Sequence, residues 1–506
     1  MQGFLTKRLA LLGMVIILLA ACGQADAPEV EQAEQETVAE TDTAVSPATT
    51  DPTPTTAPTA TTPAEPVAGE PSIGDPYAPE MGNTGYDVQH YTIQLEMEPN
   101  VEQLMGSVTI EAVATIDHLG EFFLDFVSYD IESISIDDEL VEFYRKDAKL
   151  AVLLPEPLSV GTPFTMEIQY AGEPDLRGSS FVGFQDGFVG IFYPEDSVYV
   201  LSEPDGARYW FPNNDHPRDK ATFRFEITVP QRETAVANGT LVEVIEETPM
   251  IDGRPGHTFI WEHNHPMATY LATVVIGEYE RLEDVSPAGI PLRHYTFAEE
   301  KEDLTDETAI VGEAIDWMSE LFGAYPYETY GYVTVDAPGV SLETQTIVLL
   351  STQMIDERTI IHELAHMWFG DHVSLDSWGE MWRNEGFATY LSFVWENRDD
   401  PEELDLFMAG LEQAVIDNDE SDPYPVRNPP PRKLFGFNSY VKGALIVHEL
   451  RQEMGDDAFW QGLKTYFDTY GGGTATDAQF QEMMEEASGK DLDEFFTFWL
   501  DEVPEG

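Results

Sequence analysis

The chain has 506 residues, 42% of them hydrophobic and 11% aromatic, which is enough apolar material to fill cores for two or three domains. Its 94 acidic residues against 25 basic ones give a net charge of −69, which argues against binding nucleic acid or anionic lipid through charge. The one cysteine, Cys22, excludes an intrachain disulfide framework, so the fold must rest on its core and on any metal it binds.

The first 22 residues read as a processing signal. Lys7 and Arg8 precede an apolar run at 9–21 that is short for a bilayer span. The run ends in Leu19-Ala20-Ala21-Cys22-Gly23, a string similar to the bacterial lipobox, in which the cysteine is lipidated and becomes the new N-terminus. This predicts a lipid anchor on Cys22 and a protein of the bacterial cell envelope, outside the cytoplasm. Removing residues 1–22 takes away two basic residues and leaves a net charge of −71. Residues 23–76 are acidic and rich in Pro and Thr, without Lys, Arg or aromatic residues. Such a segment cannot bury enough apolar surface to offset its ordering entropy, and it is predicted to be a disordered tether. The Pro/Thr stretch from Thr49 to Pro66 would keep it extended.

Residues 77–285 read as a β domain. Tyr91, Ile93, Leu95 and Met97 alternate with polar residues, as do Val108, Ile110, Ala112, Ala114 and Ile116, a period of two that signals half-buried antiparallel strands. Turn signals recur, as at Asn238-Gly239 and Asp252-Gly253.

From about residue 300 the pattern turns helical, and 286–506 reads as a second, mainly α domain. Thr305 and Asp306 are predicted to cap a helix carrying Ile310, Ala314, Trp317, Met318 and Leu321. Short strands are expected at Tyr332–Val335 and Thr346–Leu350. A helix over 357–369 follows, then helices near 380–396, 402–417, 440–454, 456–469, 476–488 and 491–501, with Gly370 and Gly489 as stops.

The helix over 357–369 carries His362-Glu363-Leu364-Ala365-His366. Its two histidines lie one turn apart on one face, where both imidazoles can reach a single tetrahedral zinc. Glu385, nineteen residues after His366 and on the following helix, completes a His2Glu set that leaves one position open for water. Glu363, beside His362, can face that water as a general base. The apolar flanks Ile360, Ile361, Met367, Trp368 and Phe369 argue that the helix is buried, where unpartnered imidazoles and a carboxylate would be costly. His372 and His448 read as packing residues, and His263 with His265 lacks a partner set for a metal.

Five separated strings together resemble the aminopeptidase N family of gluzincin zinc metallopeptidases. They are HELAHMWFGD, WGEMWRNEGFATY, EPDGARYWFPNNDHPRDKA at 203–221, ATYLATVVIGEY at 268–279 and NSYVKGALIVHEL at 438–450. The resemblance runs over roughly residues 85–500. It implies an α+β multidomain fold, with an N-terminal antiparallel, saddle-like β-sheet domain followed by a mainly α, thermolysin-like catalytic domain. It also implies that the family's C-terminal helical domain is lacking, so that the cleft is more open. The implied roles are His362, His366 and Glu385 as ligands of one zinc, Glu363 as general base and Tyr440 as donor to the oxyanion. Glu343 and Glu203 would grip the α-ammonium of the substrate. Two departures stand out: the family's usual Gly-Ala-Met-Glu-Asn is Val340-Ser341-Leu342-Glu343-Thr344, and a glutamine usually found two residues before Glu203 is Leu201.

The expectation is therefore a zinc aminopeptidase that hydrolyses peptides with a free N-terminus. An endopeptidase of thermolysin type, or a catalytically silent surface binding protein on the same fold, stands as the alternative. Bare ammonium recognition by Glu343 and Glu203 separates the first from the second. Intact zinc ligands and Glu363 weigh against the third.

Overall fold

The computed structural model describes residues 65–174, 176–183, 187–194 and 196–503. The predicted signal sequence, Cys22 and most of the predicted tether lie outside the described residues. The folded unit begins at Pro66, so the tether expected to reach residue 76 ends about ten residues earlier. Val67 and Ala68 form an edge strand of a four-stranded sheet, in register with Leu119 and Glu121. Asp75 is fully buried and accepts hydrogen bonds from Ser377 Oγ at 2.7 Å and from the Trp378 backbone at 3.0 Å.

An eight-stranded sheet forms the first half of the unit. Alternation in the sequence becomes alternation of burial: Tyr86, Val88, Tyr91, Ile93, Leu95 and Met97 of the strand Tyr86–Glu98 face the core. A bulge between Val88 and His90 shifts the phase by one, which keeps the apolar set on one side. The sequence led to the expectation of a wholly antiparallel sheet, but the sheet is mixed. The strands Tyr86–Glu98 and Lys220–Pro230 pair in parallel, from Thr222 with His90 to Thr228 with Glu96. A second, five-stranded sheet includes Ser197–Leu201, which leads into Glu203.

Helices dominate the second half. Lys301–Glu307 and Val311–Phe322 come first. The predicted cap at Thr305 and Asp306 lies inside the first of these, and Thr305 Oγ1 donates back to Lys301 O instead. The strands Tyr332–Val335 and Val348–Ser351 lie parallel and side by side. The helix Glu357–Ala365 starts at Asp356, whose carboxylate accepts from Thr359 N–H at 3.0 Å. The helix Trp382–Glu396 is buried on every face up to Trp395, so its polar residues need internal partners. Arg383 has four: Asp477 at 2.7 Å, Tyr466 at 2.9 Å, Glu380 at 2.5 Å and Ala475 O at 2.6 Å. Gly489 ends the helix Asp477–Ser488 in the left-handed conformation at φ 66°, as the sequence led one to expect. No helix among the described residues is long and apolar enough to cross a membrane.

The halves interlock through polar contacts. Lys220 Nζ donates to Asp371 O at 2.8 Å, Arg218 pairs with Asp376 at 2.8 Å, and Tyr270 OH donates to Gly370 O at 3.3 Å. These contacts seat the β half against the loop that follows the His362–His366 helix.

Candidate active site

The helix Glu357–Ala365 buries Ile360, Ile361, Leu364 and Ala365, which turns His362, Glu363 and His366 toward the helix Trp382–Glu396. There the three candidate ligand atoms converge. His362 Nε2 and His366 Nε2 are 3.1 Å apart, and Glu385 Oε2 lies 3.2 Å from the first and 3.5 Å from the second. A tetrahedral ion with bonds of about 2.0–2.1 Å has edges of about 3.3–3.4 Å, so this triangle is one face of a zinc tetrahedron. The rest of each imidazole is turned to suit. His366 Nδ1 lies 3.1 Å from Phe369 O, which places the proton on Nδ1 and frees Nε2 for a metal. His362 Nδ1 lies 3.5 Å from Thr389 Oγ1. The residues present therefore fit a zinc ion.

The electrostatics point the same way. Glu343, Glu363 and His366 offer atoms within 4.8 Å of one another, and so do Glu203, Glu343 and Glu385. Burial, opposed by His366 and reinforced by Glu343 and Glu385, holds the Glu363 carboxyl well above the usual carboxylate range. Burial and the neighbouring Glu343 and Glu385 do the same to Glu203. Glu343 is also raised, chiefly by burial. Burial alone would raise Glu385, but His366 and His362 beside it bring it down to about 2. Burial disfavours the His366 cation, yet Glu343, Glu385 and Glu363 push the group well above its ordinary value. Four carboxylates around two imidazoles make a pocket that demands more positive charge than the protein supplies. Glu203 Oε1 and Glu343 Oε1 are enclosed without a hydrogen-bond partner.

Tyr440 closes one side, its ring nearly parallel to His362 with centroids 6.0 Å apart. It lies on a widened π-turn over Asn438–Lys442 that runs straight into the helix Gly443–Met454. Burial first, then Glu385, Glu203, Glu343 and Glu363, push its phenol well above the ordinary value, so it stays protonated as a donor. Its position depends on a backbone crossing. A Cβ on Gly443 would lie 2.9 Å from Gly386 Cα, and one on Gly386 would lie 2.7 Å from Gly443 C. Gly386 follows Glu385 directly, so this crossing sets the reach from Tyr440 to the metal triad. Gly443→Ala gains up to about 1 kcal/mol of helix propensity but overpacks at a typical cost of about 1–3 kcal/mol. The expected result is a lower Tm and a fall in kcat of about tenfold or more with zinc content unchanged, read by calorimetry, steady-state kinetics and elemental analysis.

The structure thus brings together His362, Glu363, His366, Glu385, Glu343, Glu203 and Tyr440. Leu201, which precedes Glu203, is buried at the end of its strand. His372 lies against Phe467 and Gly471, and burial lowers it to about 4. His448 packs near Tyr390. His265 pairs with Glu328 at 2.8 Å, a partner that the sequence did not reveal. Also missed was Asp371, fully buried with neither carboxylate oxygen hydrogen-bonded and raised by burial and by Glu343.

Two family models match this chain. The peptidase M1 N-terminal domain covers residues 87–271, and the peptidase family M1 domain covers residues 307–499 and so includes the triad, Glu343 and Tyr440. The chain belongs to peptidase family M1. Among M1 relatives, human endoplasmic reticulum aminopeptidase 1 is 28% identical over 365 residues, 66% of this chain and 37% of that protein. Aminopeptidase N of Streptomyces lividans is 24% identical over 450 residues, 82% of this chain and 50% of that protein. The chain spans half or less of the length of these curated relatives. An M1 zinc metallopeptidase variant from Deinococcus radiodurans, bound to a Tyr-Ser-Ala substrate, superposes with a TM-score of 0.78 at 28% identity, covering 86% of this chain and 98% of that one. A two-domain M1 zinc metallopeptidase variant bound to L-arginine superposes with a TM-score of 0.77. The M1 architecture of a β-rich N-terminal part and a helical catalytic part is the fold found here, and zinc is the metal of these enzymes.

Proposed function

We propose that the protein is a zinc-dependent aminopeptidase that removes N-terminal residues from peptides outside the cytoplasm. The observation that carries this reading is the approach of Glu203 and Glu343 to the metal ligand Glu385, all within 4.8 Å. A peptide that offers its carbonyl to the metal site would place its α-ammonium between the two free carboxylates. Charge-assisted hydrogen bonds there fix one residue as the length of the product. Zinc held by His362, His366 and Glu385 supplies Lewis-acid polarisation and lowers the pKa of water toward neutrality. Glu363 takes the proton of the attacking water and passes it to the leaving amine. Tyr440 donates its phenolic hydrogen to the oxygen on which negative charge develops. The bound Tyr-Ser-Ala, L-tryptophan and L-arginine of the M1 neighbours suit such a site, since each carries a free α-ammonium.

The extracytoplasmic part of the proposal rests on the sequence around Cys22, whose lipidation would tie the protein to a membrane. Palmitate labelling of the full chain, lost in Cys22→Ala, tests it.

Fluorogenic aminoacyl amides with free and with acetylated amino groups test the activity. Free amides should be hydrolysed and chelation should stop the reaction. Glu343→Ala should raise KM for free amides about tenfold or more by removing one charged partner of the ammonium. Equal cleavage of acetylated and free substrates would instead favour an endopeptidase.

A further inference from the structure

The loop that carries Glu343 is shaped by contacts from the β half. Thr344, Gln345 and Thr346 are completely buried, and Thr346 has φ +71°, a left-handed conformation that a β-branched residue adopts only under constraint. Its hydroxyl accepts a hydrogen bond from Gly239 N–H at 2.8 Å, and its own N–H points at Met367 Sδ at 3.5 Å. Asn238 Nδ2 donates to the neighbouring Gln345 O at 2.8 Å.

The Asn238–Gly239 turn is itself rigid. Asn238 also donates to Leu271 O at 2.9 Å and accepts from Thr273 N–H at 2.8 Å. Gly239 sits at φ +82° so close to its neighbour that a Cβ would lie 2.0 Å from Glu262 O, and its carbonyl accepts from the Arg293 guanidinium. By contrast, Glu343 Oε1 has no hydrogen-bond partner, and the neighbouring His366 Nδ1 stands 3.8 Å away. With no hydrogen bond to fix that oxygen, the course of the backbone does much to set where this carboxylate stands, and the backbone is held in a strained shape three residues later.

We propose that Thr346, gripped by Gly239, is a positioning residue for recognition of the substrate's amino terminus, acting through Glu343. The inference rests on the ammonium-binding role proposed for Glu343. Misplacing a binding group by about 1 Å can cost on the order of a hundredfold.

The zinc-loaded full chain and its Thr346→Val, Thr346→Ser and Glu343→Ala variants test it. The readouts are KM and kcat on an aminoacyl amide, the Kd of L-arginine by calorimetry, zinc content and Tm. Valine keeps the branched shape and removes the hydroxyl that accepts from Gly239, whereas serine keeps a hydroxyl there. Thr346→Val is expected to raise KM and the Kd of L-arginine about tenfold, to change kcat less, and to retain zinc. Thr346→Ser should stay within about twofold of wild type. If Thr346→Val does not fold, Thr346→Ala carries the same expectation. Wild-type KM and Kd in Thr346→Val, zinc loss, or failure of serine to preserve binding would overturn the positioning role while Glu343→Ala is impaired. Unimpaired Glu343→Ala would overturn both this inference and the ammonium role it rests on.

Discussion

Glu363→Gln is expected to keep its zinc and lose turnover by about a thousandfold, within the range that a positioned acid–base group supplies. The amide is nearly isosteric but cannot take a proton from water. The proposed metal triad is His362, His366 and Glu385; Glu363 lies outside it, in a neighbouring group with Glu343 and His366. Metal content should therefore be unchanged. The substitution removes one of four crowded carboxylates, each pressed upward in pKa by burial or by its neighbours except Glu385. Relief of that repulsion implies a Tm no lower than that of the wild type. Elemental analysis, calorimetry and kinetics on one preparation check all three statements. Residual activity within tenfold of wild type would remove Glu363 from the role of base.

Tyr440→Phe is expected to lower kcat about a hundredfold or more with little change in KM, because a donor aimed at developing charge acts in the transition state and not in the ground state. The ring remains to pack against His362, so the fold and the metal should be kept. The buried surroundings and the carboxylates near it hold the phenol in its protonated form, so loss of the hydroxyl is loss of a donor. An increase in KM at constant kcat would instead make Tyr440 a substrate-binding group.

The convergence of the candidate metal ligands was legible in the sequence because helix geometry is local. Spacing alone put His362 and His366 on one face, and their Nε2 atoms do lie 3.1 Å apart. The strand at Tyr332–Val335 and the stop at Gly489 were legible for the same reason. What was not legible depends on distant partners. Asp75 sits in a Pro/Gly/Ser stretch with every local mark of a tether, yet its partners His216 and Trp378 are 141 and 303 residues away. Thr305 and Asp306 are residues of the N-cap type, and the helix nonetheless begins at Lys301. The parallel pairing of Tyr86–Glu98 with Lys220–Pro230 leaves no trace in either strand's own pattern. Thr346 contradicts its own propensity outright, since a β-branched residue at φ +71° is stable only inside contacts from Gly239 and Met367. The crossing of Gly386 and Gly443 likewise exists only between two helices that are far apart in sequence.

Underlying every assignment is the triangle of His362, His366 and Glu385, with edges of 3.1, 3.2 and 3.5 Å. The most direct test is metal stoichiometry in protein purified without chelator, for the wild type and for His366→Ala. One zinc per chain is expected in the wild type, with loss of both metal and hydrolysis in the variant. A wild-type protein with no stoichiometric metal, and no hydrolysis when zinc is added back, would contradict the account.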